Sequence, residues 1–180
     1  MHRIVSRISV PVVTVVVLSL VAATPRVAAA QLRAGGSLGY VFDESTDFIQ
    51  LGAEGRGTLT SAPIEINPRF SYQPISHGSV IQFDVNGLYD LPMPRESMFQ
   101  PYAGAGVLLQ RVSFSGGSDT HVGLNLVWGT ELNLDSSIQP FGQFQYSVIR
   151  NETNPGVLSI GILFKFGSNG PSSAPPPAHH

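Results

Sequence analysis

The chain has 180 residues, with 10 Lys and Arg against 12 Asp and Glu, and it contains no cysteine. Its length predicts one domain. The missing cysteines exclude a disulfide framework and a cysteine-based metal site, and the net charge of -2 argues against nucleic acid as a partner. Only 12% of the residues are charged, about half the usual share in a soluble domain. So few charges would cover a water-facing surface poorly.

The first thirty residues have the organisation of a secretory signal peptide. Arg3 and Arg7 precede an apolar run over residues 8–23, and three alanines follow at 28–30. A charged start, an apolar run and a small-residue cleavage site define such a peptide. An uncleaved membrane anchor is the alternative, but a proline and polar residues weaken the run. We therefore predict cleavage before Gln31 and export of the mature protein.

From residue 31 to 166, apolar and polar residues alternate at every second position, and no helical period occurs. Successive side chains of a strand point to opposite faces, so the pattern predicts about eight strands joined by turns. The predicted strands are 32–42, 48–59, 63–73, 79–89, 99–114, 120–134, 138–149 and 156–166. Because Pro68 lacks a ladder donor, we expect a bulge or local irregularity in the third strand. The composition of residues 167–180, which are rich in Pro and Ser, predicts a disordered tail.

The sixth predicted strand shows the two faces most clearly. Leu124, Leu126 and Trp128 share one face, whereas Asn125 and Glu131 lie on the other. Its length is about what a tilted strand needs to cross the hydrocarbon layer. A soluble barrel would turn the apolar face inward, and a transmembrane barrel would turn it toward lipid. The sparse charges and the aromatic residues near strand ends favour the transmembrane arrangement.

The charged residues of the strands occur on the polar face and balance one another. We predict that they form an ionic layer inside the barrel, made of Glu54, Arg56, Glu65, Arg69, Asp84, Glu131 and Lys165. Consecutive antiparallel strands would place Arg69 level with Asp84 and, in either of two compatible registers, opposite or diagonal to Glu54. We therefore expect Arg69 to bridge both carboxylates. By the same argument, Arg56 is expected to pair with Glu65.

Several short motifs resemble those of the small eight-stranded outer-membrane β-barrel family, whose type member is the transmembrane domain of outer-membrane protein A. They are P-Y-A-G-A-G at 101–106, P-F-G-Q-F at 140–144 and the closing alternating strand that ends at Phe166. The resemblance covers residues 31–166. It implies an antiparallel up-and-down transmembrane β-barrel in the outer membrane of a diderm (Gram-negative) bacterium. It also implies both barrel termini in the periplasm, surrounding outer-membrane lipid, and insertion by the barrel assembly machinery.

Catalytic and cofactor signals are weak. Ser76, His77 and His121 could belong to a barrel enzyme that modifies lipid A, but polar residues at a headgroup boundary explain them as well. No metal-ligand spacing occurs within a strand, and no glycine-rich phosphate loop precedes a helix. We expect a monomeric, non-enzymatic barrel without cofactor, with a structural or interaction role and no large pore. The alternatives are a soluble periplasmic barrel that binds a small apolar ligand, or a lipid A-modifying enzyme.

Overall fold

The structure, a computed structural model, describes residues 32–42, 48–58, 64–94, 96–134, 136–150 and 154–166. The predicted signal peptide, residues 1–30, and the predicted tail, residues 167–180, lie outside these ranges. Within the described ranges, no helix is long and apolar enough to span a membrane.

Eight antiparallel strands follow one another in chain order and close into a barrel, because β8 pairs with β1. The strands are β1 (Leu32–Phe42), β2 (Phe48–Thr58), β3 (Ile64–Ile75), β4 (Gly78–Asp90), β5 (Phe99–Phe114), β6 (Gly117–Leu132), β7 (Ile138–Ile149) and β8 (Gly156–Phe166). The predicted fold class is confirmed. Strand β1 begins and β8 ends at one end of the barrel, which we call the terminal end; the other is the opposite end.

Two turns at the opposite end are tighter than the sequence predicts. Ile75 pairs with Gly78, and Phe114 pairs with Gly117, so each turn contains only two residues. The expected loops at 74–78 and 115–119 are wrong, because backbone pairing continues through polar residues that the alternation pattern does not recognise as strand. His77 takes the left-handed conformation, with φ of 72°, which suits a two-residue hairpin turn.

Pro68 interrupts the ladder between β2 and β3 without adding a residue. Glu54 pairs with Arg69, and the same register resumes where Gly57 pairs with Ile66. The predicted bulge is therefore wrong, but the predicted irregularity is confirmed. Asn67 Nδ2 donates a hydrogen bond to the carbonyl of Gly55 at 2.9 Å. This side chain offers the strand a donor where proline has none.

Closure gives the barrel a fixed stagger. A path that starts at Leu32 and passes from each residue to its partner on the next strand goes once around the barrel. It returns to β1 at Phe42, so the stagger is ten residues. A stagger of this kind requires the strands to tilt against the barrel axis. Each strand therefore crosses the wall obliquely, and its side chains alternate between the outside and the lumen.

The apolar face of the sheet lies on the outside, as the transmembrane arrangement predicts. Ile160 is 67% exposed and Leu126 is 44% exposed, whereas Arg56 and Arg69 are each 1% exposed. Aromatic side chains are exposed near both ends, including Tyr40 and Phe166. Phe48, an aromatic residue at the start of β2, is only half-exposed and shares the inward face with Gln50.

The lumen also contains apolar residues, which the expectation of a purely polar filling did not include. Leu88, Tyr102 and Val127 form a buried cluster. Other buried apolar side chains are Val41, Leu108, Phe141, Ile149, Val157 and Leu163. The polar groups of the lumen are therefore confined between apolar neighbours, where unpaired charges would be unfavourable.

Candidate functional site: a charged network in the lumen

Five charged side chains from four strands form one network, which we call the lumenal network. Its members are Arg33 on β1, Glu54 and Arg56 on β2, Glu65 on β3 and Glu131 on β6. All five occupy inward positions of the alternating pattern and are at most 7% exposed. Because their backbones are held in the ladder, the side chains can only extend into the lumen.

Glu131 lies at the centre of the lumenal network. One carboxylate oxygen accepts a hydrogen bond from Arg33, and the other accepts one from Arg56. Arg33 also donates to Glu65, with Nη2 at 2.6 Å from Oε1, and to Gln139 at 2.8 Å. Charge-assisted bonds of this kind are roughly twice as strong as neutral ones. The network therefore joins β1, β2, β3, β6 and β7 across the lumen.

Arg56 has the most varied contacts in the network. Its Nη2 donates to the hydroxyl of Tyr102 at 2.9 Å, and Glu54 lies at 3.4 Å. The guanidinium carbon is 4.5 Å from the ring centroid of Tyr102 and 4.9 Å from that of Phe141. Both distances lie within the range of cation–π interactions. Arg56 is thus enclosed by two acids and two aromatic rings.

Arg69 and Asp84 form a second polar group, nearer the opposite end. Arg69 donates to three neutral side chains: Gln145 at 2.8 Å, Gln50 at 2.9 Å and Ser159 at 3.2 Å. Asp84 accepts from Asn125 at 2.9 Å and from Gln82 at 2.8 Å. These bonds link β3 to β2, β7 and β8, and β4 to β6.

The predicted role of Arg69 as the ionic hub is wrong. Arg69 is directly opposite both Glu54 and Asp84, so the register of β2 and β3 is one of the two that the sequence allows. Among the described residues, however, every ion pair involves Arg33 or Arg56. The expected pairing of Arg56 with Glu65 is also wrong, because Glu65 pairs with Arg33. In a narrow closed barrel, a long side chain can contact residues across the lumen as easily as it contacts residues on the adjacent strand.

Lys165 does not belong to the buried layer. It shares the inward parity of β8 but is exposed at the terminal end. Arg33, its partner in the β1–β8 register, is the buried cation instead. Sequence reasoning omitted Arg33 from the layer, although it alternates with outward Leu32 and Ala34. That parity was the available signal for its position.

The remaining candidate residues lie at the opposite end. Ser76 and His77 form the β3–β4 turn, and His121 lies on the neighbouring β5–β6 hairpin. Across the described ranges, no group of three His, Cys, Asp or Glu is arranged to hold a metal ion.

No protein-family model and no curated protein matches the chain. Among solved structures it is similar to Neisserial surface protein A, with a TM-score of 0.60 and 15% identity over 77% of this chain and 98% of that one. It is also similar to the N-terminal β-barrel domain of Pseudomonas aeruginosa OprF, with a TM-score of 0.54 and 14% identity over 76% of this chain and 99% of that one.

A de novo designed transmembrane β-barrel gives a TM-score of 0.52 with 12% identity, over 79% of this chain and all of the designed one. Because a designed protein matches about as well as natural ones, the likeness reports barrel geometry rather than a shared activity. The chain therefore has the fold of the small eight-stranded outer-membrane β-barrels, with an apolar outer face and a salt-bridged polar interior.

Proposed function

We propose that this chain is an outer-membrane β-barrel of a diderm bacterium that has a structural or interaction role and catalyses no reaction. The terminal end would face the periplasm. The observation that carries the proposal is the distribution of polarity: apolar side chains cover the outside, and paired charges fill the lumen. Each Å² of apolar surface left in water is unfavourable by about 25 cal/mol. A hydrocarbon environment removes that cost.

The soluble alternative requires the reverse distribution. A periplasmic carrier of an apolar ligand would hold the ligand between inward apolar side chains. In this barrel, Arg56, Arg69 and Glu131 extend into the space that such a ligand would occupy. A buried charge next to an apolar ligand would lose its solvation without gaining a partner. This argues against the carrier.

The filled lumen also favours a barrel without a large pore. An eight-stranded barrel leaves an interior only wide enough for side chains. From the terminal end to the opposite end, the lumen contains the lumenal network, then the Arg69–Asp84 group, then the buried apolar side chains Val41 and Val157. Ions and solutes would have to displace paired charges in order to pass. We therefore infer that the barrel acts through its outer and end surfaces.

At the opposite end, the two connections that the structure describes completely are short. Two of the connections there, Ser76–His77 and Ser115–Gly116, are two-residue turns. This favours a structural role in the membrane over adhesion to a macromolecule. Barrel assembly machinery would insert the protein, and we expect it to remain a monomer surrounded by lipid.

Membrane fractionation followed by a heat-modifiability gel tests the proposal. A folded barrel should be recovered from outer membranes only with detergent and should migrate differently before and after boiling. Recovery in the soluble periplasmic fraction would support the carrier instead. Lipid A analysed by mass spectrometry after overexpression should be unchanged, and a new modification would overturn the non-enzymatic assignment.

A further inference from the structure

A glycine interrupts a row of polar side chains inside the barrel. Gly52 on β2 pairs with Ser37 on β1 and with Ser71 on β3. All three positions face the lumen, so the glycine leaves a space between two serines, which we call the Gly52 gap. Neighbouring strands lie about 4.8 Å apart, and the Cα atoms of the two serines are therefore about 10 Å apart across this gap.

Arg69 borders the same gap. A Cβ at Gly52 would lie 3.4 Å from Arg69 Nε and 2.4 Å from Ser37 Oγ. The two terminal nitrogens of Arg69 donate to three neutral side chains, whereas its Nε belongs to the border of the gap. The space that a side chain at position 52 would occupy is therefore surrounded by polar atoms.

Three buried polar atoms around the Gly52 gap need a partner. Ser37 Oγ, Ser71 Oγ and Arg69 Nε are shielded from solvent, and none of them forms a hydrogen bond within the described part of the chain. A buried donor or acceptor without a partner is unfavourable, and in folded proteins the large majority of such groups bond to protein or to ordered water. Three of them around one gap indicate an occupant that bonds to all three.

The charges near the Gly52 gap decide what kind of occupant fits. The Nε–H of a guanidinium can only donate, which excludes a cation. The buried charged side chains of the described residues are three arginines and four acids, and Asp84 lies directly opposite Arg69. An added anion would increase this excess of negative charge where the dielectric constant is low. A small neutral molecule that both donates and accepts hydrogen bonds fits best.

We propose that one water molecule is bound in the Gly52 gap and bridges β1 to β3. It accepts a hydrogen bond from Arg69 Nε and donates one each to Ser37 Oγ and Ser71 Oγ. Three hydrogen bonds are typical of a buried water. The water gives Arg69 a partner for its remaining donor and fixes the side chain in the middle of the lumen. Because the site lies inside the wall, it does not depend on what surrounds the barrel.

A crystal structure of the folded barrel that resolves ordered water tests the site directly. One water should lie within hydrogen-bond distance of all three polar atoms, and Gly52→Ala should lack it because the methyl group fills the gap. The matched control is Gly55→Ala, which should retain the water. Gly55 faces outward on the same strand, and a Cβ there would have no contact closer than 3.6 Å.

Three crystallographic outcomes would overturn the proposal. The first is a wild-type barrel in which Ser37 Oγ bonds Arg69 Nε directly and no water lies in the gap. The second is a water that persists in Gly52→Ala. The third is an anomalous peak in the gap in crystals grown with bromide, which would identify the occupant as an anion.

A double-mutant cycle tests the bridge without a crystal, even if Gly52→Ala folds poorly. Strands β1 and β3 do not adjoin, so the hydroxyls of Ser37 and Ser71 affect each other through a shared partner. Ser37→Ala should lower the urea midpoint of the barrel in lipid vesicles. In the Ser71→Ala background, where the bridge is already broken, the same change should shift the midpoint by at most about half as much. Fully additive shifts would refute the bridge, because they would show that the two serines act independently.

Discussion

Truncation of Arg56 should destabilise the barrel more than loss of any exposed charge. Arg56→Ala removes an ion pair with Glu131, a hydrogen bond to Tyr102 and contacts with two aromatic rings. Removing one partner of a buried pair costs about 3–5 kcal/mol, because the other charge is left buried. Glu131 keeps Arg33 as a partner, which limits the loss, whereas the missing cation–π contacts add about 0.5–2 kcal/mol. We expect about 4 kcal/mol in total.

Urea unfolding of the barrel from lipid vesicles measures this difference. Trp128, which is exposed on the outer face, reports departure from lipid through its fluorescence. The control is Arg111→Ala, because Arg111 is exposed on β5 and donates to an exposed hydroxyl, that of Ser118, at 3.2 Å. An exposed charge of this kind contributes about 0–1 kcal/mol. If Arg56→Ala unfolds within about 1 kcal/mol of the control, the lumenal network does not stabilise the barrel in this way.

A double-mutant cycle separates the network from simple burial. Arg56→Ala combined with Glu131→Ala should show a coupling energy of about 1–3 kcal/mol, because the two side chains form an ion pair. Arg69→Ala combined with Glu54→Ala should show less, since these residues are paired only in the backbone register. A larger coupling for Arg69 with Glu54 would restore Arg69 as the hub and refute the network derived from the structure.

Three other perturbations test the fold and its polarity. Planar bilayers should show no large, steady conductance, since the lumen is filled; a large ion-selective unit conductance would contradict this. Leu126→Arg should cost about 2–4 kcal/mol near the bilayer midplane, whereas Ser118→Arg, on the same face of β6 beyond the apolar residues, should be nearly neutral in the same unfolding assay. Gln143→Leu should cost about 1–3 kcal/mol, because the Tyr102 hydroxyl donates to Gln143 at 3.0 Å; unchanged stability would favour a water-facing position.

The sequence alone determined which residues share a face and where half of the strands begin and end. The alternation of apolar and polar residues is a local property, so each strand can be recognised from its own residues. Strands β1, β5, β7 and β8 have the predicted bounds. It also predicted that Arg69 lies level with Asp84, and it left Glu54 either opposite or diagonal to Arg69 until the structure fixed the register. Short connections between consecutive strands restrict the register, so these neighbours follow without knowledge of the whole barrel.

Only the tertiary structure decided which charges pair across the lumen. Arg33 and Arg56 bind Glu131 although 98 and 75 residues separate them from it in the sequence. Lys165 has the parity of a lumenal residue but reaches solvent at the terminal end. Such relations depend on the circumference and stagger of the barrel, and these are set only when the first strand pairs with the last.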